Sequence, residues 1–149
     1  MQNNALYILL ADDDEDDRLF FNDAFEEIKI QTKVDFVHDG MQLMEHLMDT
    51  NNKLPDILFL DLNMPKKTGK ECLIEIKKTE RLKNIIIAIY STSSSEEDIE
   101  DTFIQGANIY IKKPSDFNTL KKIINEVVTV NWHYHTSGLN RDNFLLRLK

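Results

Sequence analysis

At 149 residues, 42% of them hydrophobic, the chain can bury one substantial core and is too short to promise two. Its net charge of −8 repels phosphate backbones, which excludes nucleic-acid binding over a broad surface and favours a cation or a basic partner. Cys72 is the only cysteine, so no internal disulfide forms and a reducing compartment fits. The opening "MQNNALYILLADD" lacks a basic leader, and its apolar stretch ends at Ala11, too short for a signal or a membrane span. Cytoplasm is therefore the expected location.

Leu6 to Ala11 reads as a buried strand. A helix over 16–28 follows, with Phe20, Ala24 and Ile28 on one face at i, i+4. Lys33 to His38 is a second strand, and from Asp39 a helix carries Leu43, Met44, Leu47 and Met48 as its apolar stripe. Asp56 to Leu60 is a third strand, and the loop "LNMPKKTG" leads to a helix over 70–78 with Cys72 on its apolar side. Ile85 to Tyr90 is the fourth strand. Ser94 with Glu97 predicts a capping box for a helix to about Gln105, stopped by Gly106. Asn108 to Lys112 is a short fifth strand, and Phe117, Leu120, Ile123, Ile124 and Val127 stripe a last helix capped by Ser115 or Asp116.

Five strands each followed by a helix imply a parallel sheet covered on both faces, an α/β fold. In such sheets the working residues lie beyond the carboxyl ends of the strands, which here are Asp12, Asp13, Asp61, Ser91 and Lys113. Carboxylates gathered at one rim repel one another unless a cation neutralises them, and an all-oxygen set without His or Cys points to Mg²⁺. Asp61 could then attack a phosphoryl group to form an acyl phosphate, while Lys113 and the Ser91 hydroxyl donate to the phosphoryl oxygens.

In "ILLADDDEDD", "PDILFLDLNMPKKTG", "IYSTSSSEEDI" and "GANIYIKKP" the sequence resembles the receiver domain of two-component response regulators, over about residues 5 to 130. The resemblance implies a flavodoxin-like (βα)5 sheet of order 2-1-3-4-5. It makes Asp61 the phosphoacceptor, Asp12 and Asp13 the acidic pair, and Asp13 and Asp61 direct Mg²⁺ ligands. Asn63 would complete the metal shell through its backbone carbonyl; Ser91 and Tyr110 would be the switch residues. Lys113 matches the family lysine before a proline, and the peptide to Pro114 is often cis there. Lys112, its neighbour, would point to the opposite face. The implied partners are a histidine kinase or histidine phosphotransfer protein, and a downstream protein at the face of the fourth helix, fifth strand and fifth helix.

Residues 1–130 would form the receiver domain and 131–149 a C-terminal extension, too short for an output domain. Phe144, Leu145 and Leu148 suggest a short amphipathic helix docked on the domain, with a homodimer as the runner-up. The remaining acids, Asp14 to Asp17, are assigned to the first turn of helix one, where they oppose the helix dipole. Read as a calcium loop, the run fails at Asp17, where a glycine is needed, and at Asp23, where a Glu is needed. A hydrolase of the haloacid-dehalogenase type also phosphorylates an Asp at a strand end but needs an acid two residues on, where this chain has Asn63. An interaction module that keeps the fold and not the reaction is disfavoured by the intact acids and Lys113. His133 and His135 lack acidic or Cys partners, and His38 and His46 belong to no constellation.

Overall fold

Strands and helices alternate in the computed structural model, which describes residues 5–129 and 141–146. The elements are β1 (Leu6–Ala11), α1 (Glu15–Glu27), β2 (Thr32–Val37), α2 (Gly40–Met48), β3 (Ile57–Leu60) and α3 (Gly69–Lys78). Then come β4 (Ile86–Ser91), α4 (Glu96–Ile104), β5 (Ile109–Lys112), α5 (Phe117–Thr129) and a short α6 (Arg141–Phe144). All five strands are parallel, in the order β2-β1-β3-β4-β5, as expected.

Because side chains alternate along a strand, each strand feeds two cores. Ile8, Leu10, Phe59 and Tyr90 meet α1 and α5 on one face; Leu9, Ala11, Leu58, Leu60 and Tyr110 meet the opposite core, which holds Leu43, Cys72 and Ile99 from α2, α3 and α4. Near-continuous apolar strands are the consequence of burial on both sides. Against the first face, Phe21, Phe25, Phe59 and Tyr90 form an aromatic cluster with ring centroids 4.8–6.3 Å apart. Each such pair adds about 0.5–1.5 kcal/mol beyond its buried area.

Local signals are mostly where the sequence places them, with differences of phase. On α1 the buried face is Phe21, Ala24 and Phe25, while Phe20 turns toward α5 and meets Phe117 edge-on at 5.7 Å. With apolar residues at 19, 20, 21, 24, 25 and 28, spacing alone leaves the centre of the stripe ambiguous by one position. On α2, Leu43, Met44 and Leu47 are buried but Met48 is exposed in the last turn. The cap of α4 is Ser95, which accepts from Asp98 N–H, one residue later than the Ser94–Glu97 box predicted. A capping box does occur at α3, between Thr68 and Glu71. Asp116 caps α5 by accepting from Thr119 N–H at 2.8 Å. Gly106 ends α4 at φ +95°, a conformation that L side chains rarely adopt.

No helix among the described residues is long and apolar enough to cross a membrane. The described backbone has no cis peptide bond, so Lys113–Pro114 is trans and not the cis form the resemblance suggested. Beyond α5, Phe144 is fully buried, and Leu145 pairs in parallel with Tyr110 of β5. The helix suggested for the extension is limited here to α6, and Phe144 at its end and Leu145 after it lie against the domain; His133, His135 and Leu148 fall outside the described residues.

Candidate functional site

Main-chain hydrogen bonds carry the sheet one residue past three of its strands and so set the rim. Asp12 N–H donates to Val37 O (3.1 Å), Asp61 N–H to Ala11 O (3.0 Å) and Lys113 N–H to Ser91 O (2.8 Å). Three side chains far apart in sequence are thereby fixed in one layer, where the strand ends of a doubly wound sheet present their functional groups. Gly69 lets α3 start against this layer: a Cβ there would lie 2.2 Å from Asp61 O.

Lys113 reaches into the middle of the acids. Its Nζ lies 2.8 Å from Asp17 Oδ2, 2.9 Å from Asp12 Oδ2 and 3.1 Å from Asp61 Oδ2, over the ring of Tyr90 at 5.3 Å. Lys112, by contrast, is exposed. Asp12 is fully buried and Asp61 nearly so, whereas Asp13 is exposed. Burial pushes the Asp61 carboxyl up to about 6, with Lys113 opposing and Asp12 reinforcing the rise, and the Asn63 N–H opposing it. Burial pulls Lys113 down, but its contacts with Asp12 and Asp17 and the charge of Asp61 more than reverse that, so the ammonium is held charged.

Carboxylate oxygens of Asp12, Asp13 and Asp61 lie within 4.8 Å of one another. Asp12 Oδ2, although beside the lysine, accepts no aligned hydrogen bond while buried. A buried oxygen that is ion-paired but accepts no aligned hydrogen bond, in a set of three hard ligands, fits a divalent cation with a preference for oxygen. Asn63 stands next to this set, its N–H donating to Asp61 Oδ1 at 3.2 Å.

Ser91 ends β4, fully buried, its Oγ accepting from Ser93 N–H at 3.2 Å. Tyr110 is also fully buried, and its hydroxyl donates to Ser93 O at 2.8 Å. The two residues are thus joined through Ser93. Asp17 is the site residue that sequence reasoning left in the helix's first turn. A usable signal was there: Cα–Cβ bonds on a helix tilt toward its N-terminus, so an acid in the first turn after a strand end leans back over the rim.

Comparison with known proteins agrees with this geometry. The family model of the response regulator receiver domain matches residues 8–125. Response regulator Rcp1 of Synechocystis is 30% identical over 126 residues, spanning 82% of this chain and 86% of the relative. The probable methanogenesis regulatory protein FilR2 of Methanothrix harundinacea is 31% identical over 80% of this chain and 79% of the relative. Among solved structures, the phosphorylated cyanobacterial phytochrome response regulator RcpA superposes with a TM-score of 0.77 at 34% identity, covering 83% of this chain and 91% of that one. The Mn²⁺-bound form of Rcp1 gives 0.76 at 29%, covering 83% and 92%. By its matched length, its strand order and its rim of acids, this chain belongs to the response regulator receiver domain family, the phosphoacceptor signalling modules of two-component phosphorelays.

Proposed function

We propose that the protein acts as a response regulator in the cytoplasm, in which Asp61 accepts a phosphoryl group from a histidine kinase or histidine phosphotransfer protein. The observation that carries this reading is the buried Asp61 carboxylate, within reach of both Lys113 and the Asp12–Asp13 pair. In the transfer, an Asp61 oxygen bonds to phosphorus as the phosphorus–nitrogen bond of the donor breaks, and the electron pair returns to the imidazole. Lys113 neutralises a phosphoryl oxygen, and the Ser91 hydroxyl donates to another. Asp12, Asp13, Asp61 and the Asn63 carbonyl would hold Mg²⁺, whose chemistry is to screen the charge on the acids and the phosphoryl oxygens. Asp61 keeps enough carboxylate character near neutral pH to act as nucleophile, since its carboxyl is raised only to about 6.

Intact mass measured after incubation with Mg²⁺ and a small acyl-phosphate donor tests the reading. Wild type gains one phosphoryl group, a chelator prevents the gain, and Asp61→Asn gains none. An unmodified wild type, or equal modification of the variant, defeats it.

The output is proposed to run through the Ser91–Ser93–Tyr110 connection. A phosphoryl group draws the Ser91 hydroxyl from its Ser93 contact, and the loss loosens the Tyr110 anchor on Ser93 O. The face of α4, β5 and α5 then changes shape for a downstream protein. NMR shifts at Ser91 and Tyr110 that stay fixed when a phosphoryl mimic occupies Asp61 would refute this switch without touching phosphotransfer.

A further inference from the structure

The strand order leaves β5 with one side paired to β4 and the other open, and an open edge is a template for an added strand. In this chain the open edge is covered from within. Leu146 N–H donates to Tyr110 O at 2.9 Å, and Leu145 bridges Tyr110 in parallel. Phe144 sinks between α4 and β5, its ring 5.3 Å from Phe103 and 6.2 Å from Tyr110, and it is fully buried. An aromatic anchor followed by an extended main-chain pair is how short peptides add to a sheet edge.

The attachment is small. One buried ring, one main-chain hydrogen bond and two half-buried leucines stand against the entropy of ordering the segment, so the docked form exceeds the released one by roughly tenfold, a margin that a partner can overcome. By sequence, α4 carries Glu96, Glu97, Asp98, Glu100 and Asp101 with no basic residue, Asp98 and Asp101 pairing with Lys70 of α3, and the stretch around Phe144 carries Arg141, Arg147 and Lys149, so the two segments have opposite net charge.

We infer that Phe144–Leu146 is an internal ligand of the groove between α4 and β5, and that a partner enters this groove by displacing it with an extended segment of the same chemistry. That segment has an aromatic anchor, two aliphatic residues after it, and flanking basic residues. The inference rests on the proposed output face and names what binds there. It does not depend on phosphotransfer at Asp61, and its test contains no phosphoryl group.

The test titrates a fluorescent peptide of sequence NRDNFLLRLK, residues 140–149, against the full chain and two full-length variants. Phe144→Ala removes the anchor, and Leu146→Pro removes the N–H while keeping it. A tethered occupant competes at an effective concentration near millimolar, so both variants are expected to bind the peptide roughly tenfold or more tightly than wild type. A peptide with alanine in place of phenylalanine binds none of them. In isotopically labelled wild type, excess peptide speeds hydrogen exchange at the chain's own Leu146 amide. This readout needs no variant to fold. Equal affinity for all three proteins, absence of binding, or unchanged exchange at Leu146 overturns the inference. So does a wild-type dimer that Phe144→Ala converts to a monomer, because the docked segment would then belong to a second copy.

Discussion

Replacing Asp61 with asparagine should make the metal-free protein more stable at neutral pH, although it removes the proposed phosphoacceptor. Three carboxylates, those of Asp12, Asp17 and Asp61, share one ammonium at this rim, with Asp13 beside Asp12 and Asp61. Raising Asp61 from 3.8 to about 6 costs the ionised fold about 3 kcal/mol at pH 8 relative to an unfolded carboxyl. Because the folded value is the higher one, the folded state binds more protons. The group's contribution is fully present below about pH 4 and is lost as pH rises through about 6. That cost is already net of the attraction of Lys113, so asparagine, which stands in for the protonated carboxyl, should gain up to about 3 kcal/mol at pH 8. For a domain of this size that is up to roughly 6–12 °C in Tm. Thermal denaturation followed by circular dichroism in chelator at pH 8 and pH 4.5 reads the difference, which should shrink at the lower pH. Saturating Mg²⁺ at about 100 times Kd should add about 2.7 kcal/mol to wild type and far less to the variant, closing most of the gap between them. A variant less stable than wild type at pH 8 in chelator, or an advantage as large at pH 4.5, would refute the reasoning.

Lys113→Met should lower stability by about 3–5 kcal/mol in urea titrations, because Asp12 and Asp61 are left as buried carboxylates without their cation; a neutral result would mean the lysine is not their partner. Gly69→Ala should cost several kcal/mol in the same assay, since its Cβ would meet the Asp61 carbonyl at 2.2 Å and cannot be accommodated without moving the loop that carries Asp61. Tyr110→Phe should cost about 1 kcal/mol through the lost donation to Ser93 O, and hydrogen exchange at nearby amides should rise with it.

The rim was legible in the sequence because its members sit at the ends of apolar runs, and strand ends in a parallel sheet converge by topology. Asp12, Asp61 and Lys113 needed only the counting of strands to be placed together. Asp17 was hidden by a competing explanation, since an acid in a first helical turn is already accounted for by the dipole. The backward tilt of a first-turn Cβ points it toward the rim, but its distance to Lys113 also depends on how α1 leaves β1, which that tilt alone does not set. The same limit applies to Phe20 and Phe21 and to Ser94 and Ser95, where neighbouring residues of like chemistry make each local rule satisfiable in two registers. The docking of Phe144 on Tyr110 was beyond periodicity altogether, because a lone aromatic followed by two leucines fits a helix face as well as an edge strand.

Reductive trapping with borohydride tests the central claim most directly, since it converts an aspartyl phosphate to homoserine and marks the residue that carried it. After phosphorylation in Mg²⁺, peptide mapping should find homoserine at position 61 in wild type. Modification at Asp12, Asp13 or Asp17 instead, or none at all from a folded protein, would contradict the assignment of Asp61 as phosphoacceptor.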